Sequence, residues 1–194
     1  MSNERVFVYW DNSNIFHAAQ HYTAKREEAF PDARNQMRIN FDNLLRLAQA
    51  DRTLMKAFIA GSVPPETNKL WQSLKDIGVK VNLFNRAESD NSEQDVPDER
   101  LQLEIMWEVA QEPGTIVLLT GDGAGYEQNK GFLYTLEIMH AMKWKIEVLS
   151  WKDACNQRMK DWVEKNGVFV ALDDYYDSIT FMEPPPTTHH PPRT

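Results

Sequence analysis

The chain reads as a three-layer α/β/α domain built on a mostly parallel sheet of five to six strands. Three observations predict it. Six short segments rich in β-branched and aromatic residues recur along the sequence. Each is continuously apolar rather than alternating, as strands buried on both faces must be. Stretches with helical spacing separate them, which demands right-handed βαβ crossovers.

The elements follow in order. The strands are Arg5–Trp10 (RVFVYW), Lys56–Ala60 (KAFIA), Val79–Phe84 (VKVNLF), Thr115–Thr120 (TIVLLT), Lys145–Ser150 (KIEVLS) and Val168–Leu172 (VFVAL). Between them, Phe41–Ala50 carries Leu44, Leu45, Leu47 and Ala48 on helical spacing. Asn68–Ile77 carries Leu70, Trp71, Leu74 and Ile77 and stops at Gly78, a favoured C-terminal residue. Pro97–Ala110 opens with a proline suited to a first turn and carries Leu101, Leu103, Ile105, Met106 and Val109. Gly131–Lys143 and Cys155–Asn166 complete the set, with Leu133, Leu136 and Met139 on one and Met159, Trp162 and Val163 on the other. Tyr22–Arg38 is charged and reads as a loop or an irregular helix. Arg86–Asp98 is a polar loop. We expect one domain over residues 1–182 and an extended, proline-rich tail over 183–194 (EPPPTTHHPPRT).

Composition bounds the function. At 194 residues, with 42% apolar side chains, the chain is long enough for one domain with a substantial core. No apolar run nears the roughly 18 residues a bilayer span needs. The start lacks the features of a secretory signal, so a soluble, cytoplasmic protein with no membrane partner is expected. The single Cys155 excludes an internal disulfide and a multi-cysteine zinc site. A net charge of −8 argues against a generally basic nucleic-acid surface. Any nucleic-acid contact must then use a local basic patch or bridging metal ions. Nothing in the sequence excludes a homo-oligomer or defines one.

Chemistry gathers where strands end. In an open parallel sheet, ligands bind beyond the carboxyl ends of the strands. Strand one is followed by Asp11, Asn12, Ser13 and Asn14, and strand four by Gly121, Asp122, Gly123 and Ala124. Each aspartate alone reads equally well as a helix cap or as a site residue, and the GDG triplet is a common turn. Together they place two carboxylates on one rim, the donor set of a hard cation such as Mg²⁺ or Mn²⁺. Asp98 and Glu104 offer a third contribution from the Pro97 helix. Their spacing of six keeps them off a common face, and a solvated acidic face is the plainer reading. The tryptophans read as core, with base stacking by Tyr22 or Tyr126 as the functional alternative. Lys25, Arg26, Arg34 and Arg38 form the densest basic cluster, suited to a solvated face or a phosphate backbone.

WDNSN after strand one, the Asp98–Glu104 spacing and TGDG after strand four, in that order, resemble the NYN domain family, the LabA-like branch of the PIN-like nucleases. The resemblance extends through GFLYTLEIMHAMKWKIEVLSW and covers Arg5 to Leu172. It implies a PIN-like fold and metal-dependent ribonuclease chemistry with Mg²⁺ or Mn²⁺ as cofactor and RNA as partner. By position it implies Asp11, Asn14, Glu104 and Asp122 as catalytic residues, and Asp11, Asp98, Glu104 and Asp122 as metal ligands. Asp11 and Asn14 match the first-strand DxxN, and Glu104 stands where Asp is more usual. The sequence departs from the pattern after Asp122. The second aspartate is replaced by Ala124, and the expected Phe arrives only at Phe132, after AGYEQNKG. Glu127 is a substitute that this loop offers. The departure keeps a second expectation open, a catalytically impaired RNA-binding or interaction module. A third class, a Mg²⁺ phosphatase on a similar sheet, lacks the DxDx[TV] arrangement on its first strand.

Overall fold

The computed structural model describes residues 4–30, 32–60, 72, 75–76, 80–81 and 96–183. Six parallel strands form the central sheet. They are β1 (Arg5–Asp11), β3 (Thr53–Ala60), β4 (Lys80–Val81), β5 (Thr115–Leu119), β6 (Lys145–Ser150) and β7 (Val168–Ala171). Their spatial order is β4-β3-β1-β5-β6-β7. A second, antiparallel pair joins β2 (Met37–Ile39) to β8 (Thr180–Met182). The three-layer α/β prediction holds.

Alternate residues of β1 supply two separate cores. Val6, Val8 and Trp10 face one layer of helices, and Phe7 and Tyr9 face the other. On the first face lie α1 (Asn12–Arg26), α3 (Phe41–Gln49) and the short α7 (Tyr176–Ile179), through Ile15, Leu44 and Ile179. On the second lie α4 (Val96–Met106), α5 (Gly131–Ala141) and α6 (Gln157–Asn166), through Leu101, Leu136 and Val163. A four-residue α2 (Ala33–Gln36) leads into β2. No described helix is long and apolar enough to cross a membrane.

The topology singles out one crevice. From β1 the chain moves outward to β3 and β4, then returns to the other side of β1 as β5 and continues to β6 and β7. The order therefore reverses between β1 and β5, and ligands of such sheets sit at the carboxyl ends of the strands flanking that reversal. Asp11 ends β1 and Asp122 follows β5.

Differences from the sequence reading are local. Tyr22–Arg38 is the end of α1, then α2 and the start of β2. The α1 helix lacked a strong apolar stripe because only Asn12, Ile15, Ala19 and Thr23 bury deeply along its length, and three of those are small or polar. The β2–β8 pair is three residues per strand and joins distant parts of the chain, too short to show a period. The Pro97 helix is α-helical only to Met106 and finishes as a 3₁₀ turn over Trp107–Ala110. Of the expected strand 79–84, Lys80 and Val81 pair with β3. Its other residues, most of the expected 68–77 helix, the 86–98 loop before Val96 and the tail beyond Glu183 lie outside the described residues. Glu183 itself forms an ion pair with Arg38 at 2.7 Å.

Candidate metal centre at the carboxyl edge of the sheet

Asp11 is the last residue of β1 and the N-cap of α1 at once. Its backbone is still extended (φ −83°, ψ 92°), and its Oδ1 accepts the Asn14 backbone N–H at 3.1 Å. That satisfies one of the orphan donors of a helix start. The other oxygen, Oδ2, accepts the Thr120 hydroxyl at 3.0 Å. Thr120 Oγ in turn accepts the Asp122 backbone N–H at 3.2 Å. The hydroxyl of Thr120 thus ties the two rim aspartates together. Asn14 closes the ring, its Oδ1 accepting the Gly121 N–H at 2.7 Å.

Charge is concentrated here. Asp11 is only 5% exposed, and it makes no ion pair among the described residues. Burial is the main force pushing its carboxyl up to about 6, helped by the negative charge of Asp122. The Asn14 N–H, the Thr120 hydroxyl and the positive field of His17 pull the other way. Asp122 accepts the Ala124 N–H on Oδ1 at 2.9 Å, a tight turn that aims the side chain from the loop. A buried carboxylate beside a second one is costly unless a cation joins them.

The loop after β5 is held by close approach to the start of α6. Asn156 caps α6, accepting the Met159 N–H at 3.2 Å, and donates its own N–H to the Gly121 carbonyl at 2.8 Å. A Cβ on Gly121 would lie 2.6 Å from the Ala154 carbonyl oxygen, and one on Gly123 would overlap the Asn156 side chain. Both glycines of the GDG triplet are therefore required by space. The inserted stretch is anchored as well. Tyr126 hydroxyl reaches both oxygens of Glu137 at 3.1 and 3.0 Å, and the Gly131 N–H donates to Gln102 Oε1 at 3.1 Å. Glu127, the sequence candidate for the missing acid, forms an exposed ion pair with Arg158.

The helical acids stand apart from this ring. Asp98 is half-buried in the first turn of α4, at the end of the helix nearest the rim. Glu104 is fully buried, with Oε2 held by Lys56 and Oε1 by Arg100, each at 2.7 Å. Lys56 is registered with Phe7, four residues or about 13 Å down the strand from Asp11. It also pairs with buried Glu108 at 2.8 Å, whose carboxylate accepts the Tyr9 hydroxyl at 2.8 Å and the Gln111 amide at 2.6 Å. Burial and the Glu108 charge hold the Tyr9 phenol far above its ordinary range. Asp11, Asn14 and Asp122 come together, then, Asp98 lies toward their rim, and Glu104 lies lower, between two cations. Among the described residues no group of three His, Cys, Asp or Glu side chains converges as a metal cluster.

Sequence reasoning missed Thr120, Lys56 and Glu108. Thr120 carried a signal, a hydroxyl closing an otherwise apolar strand. Lys56 and Glu108 gave none, since a lysine at a strand start and a glutamate in an acidic helix both read as solvated. Cys155 is buried, and burial pushes its thiol up to about 11, against a smaller opposing bond from Ser150. It stays a protonated, unreactive thiol at neutral pH.

A comparison with curated proteins gives no match. Among solved structures, a protein of unknown function from Vibrio parahaemolyticus superposes with a TM-score of 0.63 at 16% identity, covering 89% of this chain and 94% of that one. At that identity the likeness concerns the fold alone. The NYN domain model matches residues 5–173, nearly the whole described chain and every element that builds the rim. The chain belongs to the NYN domain family.

Proposed function

We propose that this NYN domain is a ribonuclease that hydrolyses RNA phosphodiesters at the Asp11–Asp122 rim with Mg²⁺ or Mn²⁺ as cofactor. The observation that carries the reading is Asp11, a buried carboxylate with no ion pair among the described residues, beside a second aspartate at the crevice where strand order reverses. Among its neighbours are two hard oxygen donors, the Asp122 carboxylate and the Thr120 hydroxyl. That set suits Mg²⁺ or Mn²⁺, which take one or two protein carboxylates and complete their shell with water and phosphate. When bound, such an ion supplies Lewis-acid polarisation of a phosphoryl oxygen and lowers the pKa of bound water.

The chain's own residues divide the remaining work. Asp11 and Asp122 would hold the ion, and Asp98 at the start of α4 would supply a further carboxylate. Asn14, with its carbonyl engaged by Gly121, offers its amide nitrogen to a substrate oxygen. Glu104 enters as the residue that fixes α4, and with it Asp98, against the sheet. A second reading, RNA binding without turnover, is favoured by one observation. Ala124 replaces an acid, and Glu127 is engaged by Arg158 rather than replacing it.

The test compares the wild-type chain with the Asp11→Asn, Asp122→Asn double variant on labelled single-stranded and structured RNA, in Mn²⁺ and in chelator. Cleavage that needs Mn²⁺ and vanishes in the variant supports the enzyme. Equal cleavage by both proteins sinks it, and binding without cleavage selects the second reading.

A further inference from the structure

The loop that follows Asp122 and the first turn of α6 carry a pair of side chains that the metal chemistry does not use. The Arg158 guanidinium carbon lies 3.8 Å from the centroid of the Tyr126 ring, closer than any other cation–ring contact described here. The Arg158 side chain remains 54% exposed. We propose that Arg158, backed by Tyr126, is a stacking platform on which an unpaired RNA base flanking the scissile phosphate rests. The proposal takes the ribonuclease reading as given and narrows its substrate to single-stranded RNA.

Three features support it. First, the platform is fixed relative to the rim. Tyr126 follows Asp122 by four residues, which span at most about 14 Å. Arg158 follows Asn156 by two, and Asn156 abuts Gly123. The Tyr126 hydroxyl is pinned by Glu137, so the ring presents its face without having to be ordered on binding. Second, Arg158 is available at small cost. Its partner Glu127 is 76% exposed, and exposed ion pairs contribute little. Third, the chain carries a net charge of −8, so phosphate attraction alone is a poor source of RNA affinity. Stacking on an aromatic ring or a guanidinium plane is indifferent to that charge and requires a base freed from its helix.

The experiment measures binding of labelled oligouridine, its abasic counterpart and an RNA duplex to the full chain, with Ca²⁺ in place of Mn²⁺ to prevent turnover. Arg158→Ala removes the plane and the charge, and Arg158→Lys keeps the charge alone. Both variants should melt within about 3 °C of wild type, since at most an exposed ion pair and a surface cation–ring contact are lost. Wild type should prefer oligouridine to both other probes. Both variants should lose about tenfold in oligouridine affinity, equivalent to about 1.4 kcal/mol, and Arg158→Lys should bind the abasic strand as wild type does. Oligouridine affinity in Arg158→Lys equal to wild type would reduce Arg158 to a point charge and overturn the platform. Equal binding of duplex and single strand by wild type would overturn it too. In both cases Mn²⁺-dependent cleavage would leave the ribonuclease reading standing. Failure of wild type to bind any of the three RNAs would remove both.

Discussion

At the scale of single residues, Asp11 serves two ends that pull its chemistry apart. As an N-cap it accepts the Asn14 N–H, and Asn would do that equally well. As a buried charge beside Asp122 it costs stability, and its carboxyl is pushed from the ordinary 3.8 up to about 6. The sign follows from proton uptake. Between those two values the folded chain holds a proton that the unfolded chain has released, so metal-free stability falls as pH rises through this window. The penalty is then constant above it. Asp11→Asn removes the charge and keeps the cap. In chelator at pH 7 the variant should therefore be more stable than wild type by about 3 kcal/mol. At pH 4 the two should nearly coincide. Urea titrations at both values check this, and a variant that is less stable at pH 7 would show that Asp11 is not strained. A residue that lowers stability where an amide would not is the mark of a site kept for binding.

At the scale of elements, α4 is docked on the sheet by charge as much as by apolar contact. Leu101 and Ile105 enter the core, while Glu104 and Glu108 meet Lys56 between helix and strand. Lys56 is the hinge of this arrangement because it serves both glutamates. Lys56→Met fills similar volume and leaves two buried carboxylates short of a cation, an error that typically costs about 3–5 kcal/mol. The loss should appear as a lower urea midpoint with unchanged slope. A change below about 1 kcal/mol would mean that water or Arg100 compensates. The helix itself was legible from its apolar spacing, and so were α3, α5 and α6, because each buries a stripe of large side chains. By contrast α1 buries small and polar residues along its axis, and a helix that packs through Ala19 and Thr23 leaves little pattern to read. The charged inner face of α4 was hidden for a related reason. Burial of Glu104 depends on Lys56, forty-eight residues away in sequence, and no local window contains both.

At the scale of the whole molecule, the switch in strand order brings the ends of β1 and β5 together, and the sequence already marked both ends with aspartate. That much of the site was legible because strand ends are local features and the crevice rule is topological. The Thr120 bridge and the burial of Asp11 were not, since both depend on which strands become neighbours. The distribution of charge was likewise invisible. Near the rim and along α1 the cations are largely engaged, Lys25 with Asp153, Arg26 with Asp177, Lys152 with Asp174 and Arg158 with Glu127. This sets an expectation for RNA binding that differs from that of a basic protein. Each phosphate contact adds about 0.7 to the slope of log affinity against log salt for a single strand. With most of these described cations already paired, the slope should be shallow, two contacts or so. Affinity for oligouridine in Ca²⁺ should then fall by less than about tenfold between 50 and 200 mM salt. Titrations at several salt concentrations give the slope directly. A fall of a hundredfold or more would require four or five phosphate contacts. The surface pairs would then have to open to the backbone, and RNA would be held by charge rather than by bases and metal.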